Sequence, residues 1–259
     1  MNAFDALAET YDAEFTNRPI GRWLRAQVQA RLQSLLNTGD TVLELGCGTG
    51  EDAQHLAEIG VHVTATDHSE AMLEKARHKA SNCPRVSFQQ LDLNDLPEKW
   101  PVTEYRLAFS NFGALNCVRD RKALAGWLAQ QLAPGGFAAF AVMAPYCLWE
   151  MLWHGLHLAP KTAFRRLRTQ SFQPVANSNS LQVDYPSVAR IRREFEPYFE
   201  FVRVLPLGFW LPPSDVYGVV EQRPRWMHTL MKLERSTTNW GWLANFSDHY
   251  WIEFRRSDL

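Results

Sequence analysis

Four cysteines in 259 residues, at positions 47, 83, 117 and 147, leave no C-x-x-C pair and no paired metal-ligand spacing. A disulfide scaffold and a metal site are therefore not expected, and the thiols read as small buried hydrophobes. Charge of one sign is also missing. Lysine and arginine number 27 against 28 aspartates and glutamates, for a net charge of −1. That balance speaks against a chain built to neutralise a nucleic-acid backbone. No apolar run is long enough to span a membrane without interruption: the nearest, Phe137–Ala159, is broken by Pro145, Glu150, His154 and His157. It reads as a buried strand followed by an amphipathic helix. The opening MNAFDALAET has no basic-then-apolar leader, which with the unpaired thiols points to the cytoplasm. Internal repeats and low-complexity tracts are absent as well.

What charge there is lies unevenly. Residues 40–104 hold twelve acids and five bases, whereas Met151–Val183 holds no acid but carries Lys161, Arg165, Arg166 and Arg168. The two regions are expected to meet different partners. Strand and helix patterns alternate through the first half. TVLEL (41–45), VHVTATD (61–67), VSFQQLD (86–92), YRLAFSN (105–111) and FAAFAVM (137–143) read as strands. EDAQHLAEIG (51–60), SEAMLEKARHKA (69–80) and RKALAGWLAQQL (121–132) read as helices, the last stopped by APGG. This rhythm predicts a parallel sheet with helices on both faces. An amphipathic helix over 20–36 precedes it. After Met143 the rhythm breaks into a Pro-, aromatic- and Arg-rich insertion over 145–182. A helix (185–199), a strand (201–211), a Pro-interrupted helical region (219–236) and a last strand, HYWIEFRR (249–256), are expected to follow.

The chemistry is concentrated at the first strand's end. Gly46, Gly48 and Gly50 fall in a G-x-G-x-G turn, preceded by Glu44 and followed by Glu51 and Asp52. Glycine there lets a ligand touch the backbone. The dinucleotide fingerprint is G-x-G-x-x-G, with a diphosphate on the helix N-terminus. Three carboxylates around the turn would repel a diphosphate and accept a ligand carrying an ammonium and a sulfonium. Asp67 closes the second strand, where a carboxylate can take both hydroxyls of a ribose. Asp92 closes the third, placed for an exocyclic amine.

In that order the motifs VLELGCGTG, VTATDHSEAMLEKAR, LDLNDLP and LAPGG resemble the class I S-adenosylmethionine-dependent methyltransferases. The resemblance covers about residues 5–143 well and the rest loosely. It implies an α/β fold: a Rossmann-like, seven-stranded, mostly parallel sheet whose last strand is antiparallel, with helices on both faces and helical cap insertions. The implied plan is a helical segment over 1–38, a cofactor-binding core over 39–143, a cap over 144–183 and the rest of the sheet with a second cap segment over 184–259. By the same resemblance Gly46, Cys47, Gly48 and Gly50 approach the methionine part of S-adenosyl-L-methionine, and Asp67 binds ribose. Asp92 and Leu93 read adenine, with His68 and Met72 alongside. Glu44 acts through water or by orienting the loop. Tyr11, in ETYDAEF, resembles an N-terminal YD that folds over the cofactor, and Asn111 lies on the cofactor side of the fourth strand.

Methyl transfer is an in-line displacement whose leaving group is already activated, so alignment and exclusion of water matter most. Ser110-Asn111-Phe112-Gly113 lacks the prolines of the Asn-Pro-Pro-aromatic motif found where this fold methylates nucleobase or glutamine nitrogens. A small, aromatic or lipophilic metabolite, methylated on O, N or C, is the expected acceptor. Phe112, Tyr146, Trp149 and Trp153 are candidates to line its site. His154 and His157 are candidate general bases, since neutral imidazole works near physiological pH. Tyr185 and His249 are further candidates, while the sequence assigns Asp248 nothing to orient. The aromatic helix followed by KTAFRRLR also suits contact with an anionic membrane surface. A non-catalytic cofactor-binding protein and a nicotinamide-dependent oxidoreductase are the alternatives.

Overall fold

A computed structural model describes residues 4–5, 8–101, 104–167, 171–174 and 180–257. The first strand, β1 (Thr41–Leu45), is buried on both faces, which explains its apolar run. It pairs in parallel with β2 (His62–Asp67) on one side and β4 (Tyr105–Ser110) on the other. β3 (Val86–Gln90) lies outside β2, and β5 (Leu132–Met143) lies beside β4. The chain then leaves the sheet and returns as β8 (Phe199–Leu207) and β9 (His249–Arg256). The order is β3-β2-β1-β4-β5-β9-β8, with β9 antiparallel to both neighbours. Strand order reverses between β1 and β4, and a crevice outside their carboxyl ends is where ligands of open α/β sheets bind.

Two cores flank the sheet. On one face α4 (Arg121–Gln131) and α7 (Val188–Phe195) bring Leu124, Leu128, Ile191 and Phe195 onto Tyr250, Ile252 and Phe254. On the other, α1 (Pro19–Gln33) presents Ile20, Leu24, Val28 and Leu32, one stripe at helical spacing. α2 (Glu51–Glu58) adds Ala53 and Leu56 to that core. Alternation along β9 puts Trp251 on the α1 face. Glu253 is fully buried and paired with Arg31 of α1 at 2.5 Å. α3 (Glu70–Lys79) packs over β2 and β3, capped by the Ser69 side chain, which accepts from Met72 N.

The structure revises three expectations. β5 starts at Leu132 rather than 137, because Ala133-Pro134-Gly135-Gly136 continues the pairing through an irregularity between Tyr105 and Leu107. β8 starts two residues early and stops at Leu207, where Gly208 turns at φ +76°. The backbone N–H groups of Gly208, Phe209 and Trp210 then donate to the buried Glu234 carboxylate of α9 (Pro224–Thr237). The insertion also has structure of its own. α5 (Leu148–Leu156), α6 (Pro160–Ala163) and a 3-10 turn at Arg165–Leu167 lead to an antiparallel pair, β6 (Ser171–Pro174) and β7 (Ser180–Val183). A short helix, α8 (Tyr217–Glu221), precedes α9. Arg168 lies outside the described residues.

Candidate active site

The turn between β1 and α2 takes positive φ at Gly46, Gly48 and Gly50: 71°, 53° and 80°. The three glycines are needed for different reasons. A Cβ at Gly46 would stand 2.4 Å from Ala114 Cβ, and one at Gly50 would stand 2.9 Å from Ala76 Cβ. A Cβ at Gly48 would meet only Tyr11 Cε1, at 3.8 Å. The outer two are demanded by the protein's own packing, and the middle one faces open space under an aromatic ring. Asp67, the last residue of β2, is tied to this turn. Its Oδ2 accepts from Gly48 N and its Oδ1 from Ser69 N, both at 2.9 Å. Burial pushes the Asp67 carboxyl up, against the lowering effect of those two N–H groups.

Glu44 is 2% exposed and its Oε2 has no hydrogen-bond partner among the described residues. Burial, then the Asp52 carboxylate, pushes its pKa well above the ordinary range, with Arg25 pulling the other way. The acids after the turn behave differently from expectation. Asp52 pairs with Arg25 at 2.5 Å and accepts from Gln29 and Asn111, both at 2.9 Å. Glu51 pairs with Lys79 at 3.0 Å. Their charges are compensated within the protein. The two acids after the turn are thus neutralised by Arg25 and Lys79. Arg25 was missed at the sequence level, although it falls on the buried stripe of α1, where a charged residue signals a buried partner.

The segment before α1 closes over the turn. Thr49 Oγ1 donates to Asp12 Oδ1 at 2.7 Å, and Lys79 Nζ donates to Asp12 Oδ2 at 3.0 Å. This holds Tyr11 against Gly48. Across β2, Leu91 N donates to Asp67 O at 3.0 Å, bringing the residues after β3 to the same edge. There Asp92 Oδ2 lies 3.5 Å from His68 Nδ1, and Leu93 packs partly buried on the core. Cys47 is buried and its thiol is pushed well up, first by burial and then by Glu44 and Asp67. Met72 is a core residue, 3% exposed.

At the end of β4, Asn111 donates to Asp52 while its Oδ1 is buried without a partner among the described residues. Phe112 is one of two non-glycine residues at positive φ among those described, at +51°. Such a conformation in a bulky residue stores strain and clusters at functional sites. Its ring packs on Phe15 (centroids 4.8 Å apart) and edge-on against His249 (5.6 Å), with the Arg25 guanidinium 5.1 Å from its centroid.

Residues 42–136 match the family model described as "Methyltransferase domain". A demethylmenaquinone methyltransferase of Clavibacter sepedonicus is 34% identical over 133 residues, 51% of this chain and 53% of that one. A malonyl-[acyl-carrier protein] O-methyltransferase of Yersinia pestis is 33% identical over 152 residues, 58% and 52% of the two chains. An S-adenosylmethionine-dependent methyltransferase from Mesorhizobium loti superposes with TM-score 0.56 at 20% identity, covering 88% and 96%. Residues 42–136 carry a methyltransferase domain, on the fold of S-adenosylmethionine-dependent methyltransferases. It spans about half the length of the curated relatives it matches.

The other candidates fall in different places. Trp149 Nε1 donates to Trp210 O at 2.7 Å, and its ring packs on the same core as Phe112. Tyr146 stacks on Phe246 at 5.6 Å, and Trp153 lies 4.2 Å from the His157 ring. His154 Nε2 meets Asp215 Oδ2 at 3.2 Å, and His157 Nδ1–H donates to Trp153 O at 2.7 Å. Those partners belong to α5 and to the 3-10 turn at Ser214–Val216, not to the strand ends. The polar face expected for α5 is also reversed. Glu150 is 1% exposed and held by Arg165 and Arg166, while Leu152 and Leu156 face outward.

Proposed function

We propose that this protein uses S-adenosyl-L-methionine to methylate an O, N or C atom of a small, aromatic or lipophilic metabolite. The observation that carries the reading is the pairing of an open backbone at Gly48 with the orphaned Glu44 carboxylate and the strand-end Asp67. These groups fit the cofactor. An ammonium would supply the charge partner that Glu44 Oε2 lacks. Asp67 keeps lone pairs for hydroxyls beyond its two backbone donors. Tyr11, Gly46, Cys47, Gly48, Gly50, His68, Met72, Asp92, Leu93 and Asn111 would complete the site. When bound, the cofactor supplies a methyl group already activated on a sulfonium. The residues of the chain hold and orient the two reactants and keep water out.

Liberation of S-adenosylhomocysteine tests the reading. Purified protein with S-adenosylmethionine is expected to release it with a phenol or hydroquinone in the acceptor panel. Binding of the cofactor with no product from any acceptor would instead favour a non-catalytic binding protein on the same fold. Tight NADH binding would favour an oxidoreductase.

We place the protein in the cytoplasm, with its cap in contact with an anionic membrane surface. No helix of the described residues is long and apolar enough to cross a bilayer. The cap nevertheless exposes Leu152, Leu156 and Leu158 (65%, 81% and 90%) close to Lys161. Apolar side chains beside a base suit shallow interfacial contact. The protein is expected to sediment with phosphatidylglycerol vesicles and not with phosphatidylcholine vesicles, and Leu156→Asp is expected to abolish the difference. Equal recovery with both lipids would remove this contact.

A further inference from the structure

His249 opens β9, whose antiparallel course brings this end to the carboxyl edge of the parallel strands, opposite Met143 of β5. The imidazole is 7% exposed and packs edge-on against Phe112, the strained residue after β4. Its Nδ1–H donates to Asp248 Oδ2 at 3.0 Å. No described residue hydrogen-bonds Nε2. Asp248 is itself held: its Oδ1 accepts from Arg166 Nη2 at 2.6 Å, and its backbone O accepts from Arg166 Nη1 at 2.8 Å. Arg166 Nε continues to Glu150 Oε2 at 3.0 Å, and Glu150 also takes two bonds from Arg165, both at 2.8 Å. A buried chain thus runs from the cap to the strand ends. Asp248 is lifted by burial but, through His249 and Arg166, held well below the usual carboxylate range.

We propose that His249 is the general base of the reaction, with Asp248 and Arg166 as positioning residues, and that the acceptor is a proton-bearing phenol, enol or hydroquinone rather than a carboxylate. This deepens the methyltransferase reading and rests on it. An ionised carboxylate needs no base, whereas an aromatic hydroxyl must lose its proton to attack well. The acceptor O–H proton passes to Nε2, and the O–H bonding pair stays on oxygen. That oxygen forms the new bond to the methyl carbon while the carbon–sulfur pair stays with sulfur. The imidazolium then returns its proton to solvent. Asp248 fixes the tautomer that leaves the Nε2 lone pair available, because Nδ1 must keep its proton to donate. The groups facing this pair from neighbouring elements are Arg166 and Glu150, Cys147 before α5, Tyr217 of α8, Glu234 of α9 and, across Phe112, Arg25 of α1.

Two measurements test the proposal. The first is long-range nitrogen–proton NMR of the whole, cofactor-free protein with labelled histidine, the signal being assigned with His249→Gln. A neutral ring protonated on Nδ1 is expected, and a ring protonated on Nε2 alone would overturn the proposal. The second is turnover of a naphthohydroquinone probe. Wild-type kcat is expected to rise with pH along one limb. His249→Gln is expected to lose that limb and about a hundredfold or more in kcat. Its affinity for S-adenosylhomocysteine should be unchanged. Retained kcat and an unchanged limb in His249→Gln would overturn the proposal. Should the wild type bind no S-adenosylhomocysteine, the methyltransferase reading fails, and the acceptor assignment with it. The tautomer measurement then still decides whether Asp248 orients His249.

Discussion

Gly48→Ala is expected to weaken S-adenosylhomocysteine binding by about a hundredfold, worth about 2.7 kcal/mol, while costing the fold only the backbone strain of about 1–2 kcal/mol. The reason lies in what surrounds each glycine of the turn. At Gly48 an added methyl meets only Tyr11 at 3.8 Å, and its φ of 53° is close to the left-handed well that alanine tolerates. The penalty for that conformation is about 1–2 kcal/mol. The methyl would then occupy the space in which the ligand meets the backbone. Gly46→Ala and Gly50→Ala should behave in the opposite way. Their methyls would run into Ala114 at 2.4 Å and Ala76 at 2.9 Å. Overpacking adds about 1–3 kcal/mol to the strain, so both should melt well below the wild type. Thermal melts and calorimetric titrations of the three variants check this contrast. Equal losses of stability at all three positions would contradict it.

Arg166→Ala is expected to destabilise the protein by about 3–5 kcal/mol, the usual cost of removing one partner of a buried ion pair. The guanidinium is 7% exposed and joins Glu150, Asp248 and the Ala144 carbonyl. Its loss leaves the Asp248 carboxylate buried with His249 as its remaining side-chain hydrogen-bond partner. Arg165 still satisfies Glu150, which limits the damage at α5. The effect should depend on pH with a definite sign. The native Asp248 pKa lies below its unfolded value. Its contribution is therefore present above the ordinary carboxylate range, about pH 4, and is lost as pH falls toward the depressed native value. The stability gap between wild type and Arg166→Ala should thus be full at neutral pH and narrow in acid. Denaturant unfolding across that range measures it, and a gap that widens in acid would contradict the assignment.

How much of this was legible beforehand depended on whether the deciding contacts are local. TVLEL and HYWIEFRR become strands over the very residues that the patterns suggest. A strand buried on both faces must be apolar throughout, and β9 carries a β-propensity run up to a charged end. The β6–β7 pair, four residues per strand, gives too little period to read. The start of β5 was hidden because Ala-Pro-Gly-Gly looks like punctuation, and only pairing with β4 keeps it in the sheet. The glycines and their acids were visible as a spacing. Their charge balance was not, since Arg25 and Lys79 arrive from helices on either side of the turn. Glu150 misled for the same reason. On α5 alone it belongs to a wet face, and Arg165 and Arg166, beyond the end of that helix, make it a buried one. Asp248 and His249, adjacent in sequence, are hydrogen-bonded to each other, a contact that neither side chain's place in the strand pattern announces.

The most direct measurement of the central claim is a crystal structure of the protein soaked in S-adenosylhomocysteine. The ligand's amino-acid end is expected over Gly48 beside Glu44, and its ribose hydroxyls on Asp67. An empty turn, or a diphosphate resting on it after a parallel soak in NAD, would contradict the account.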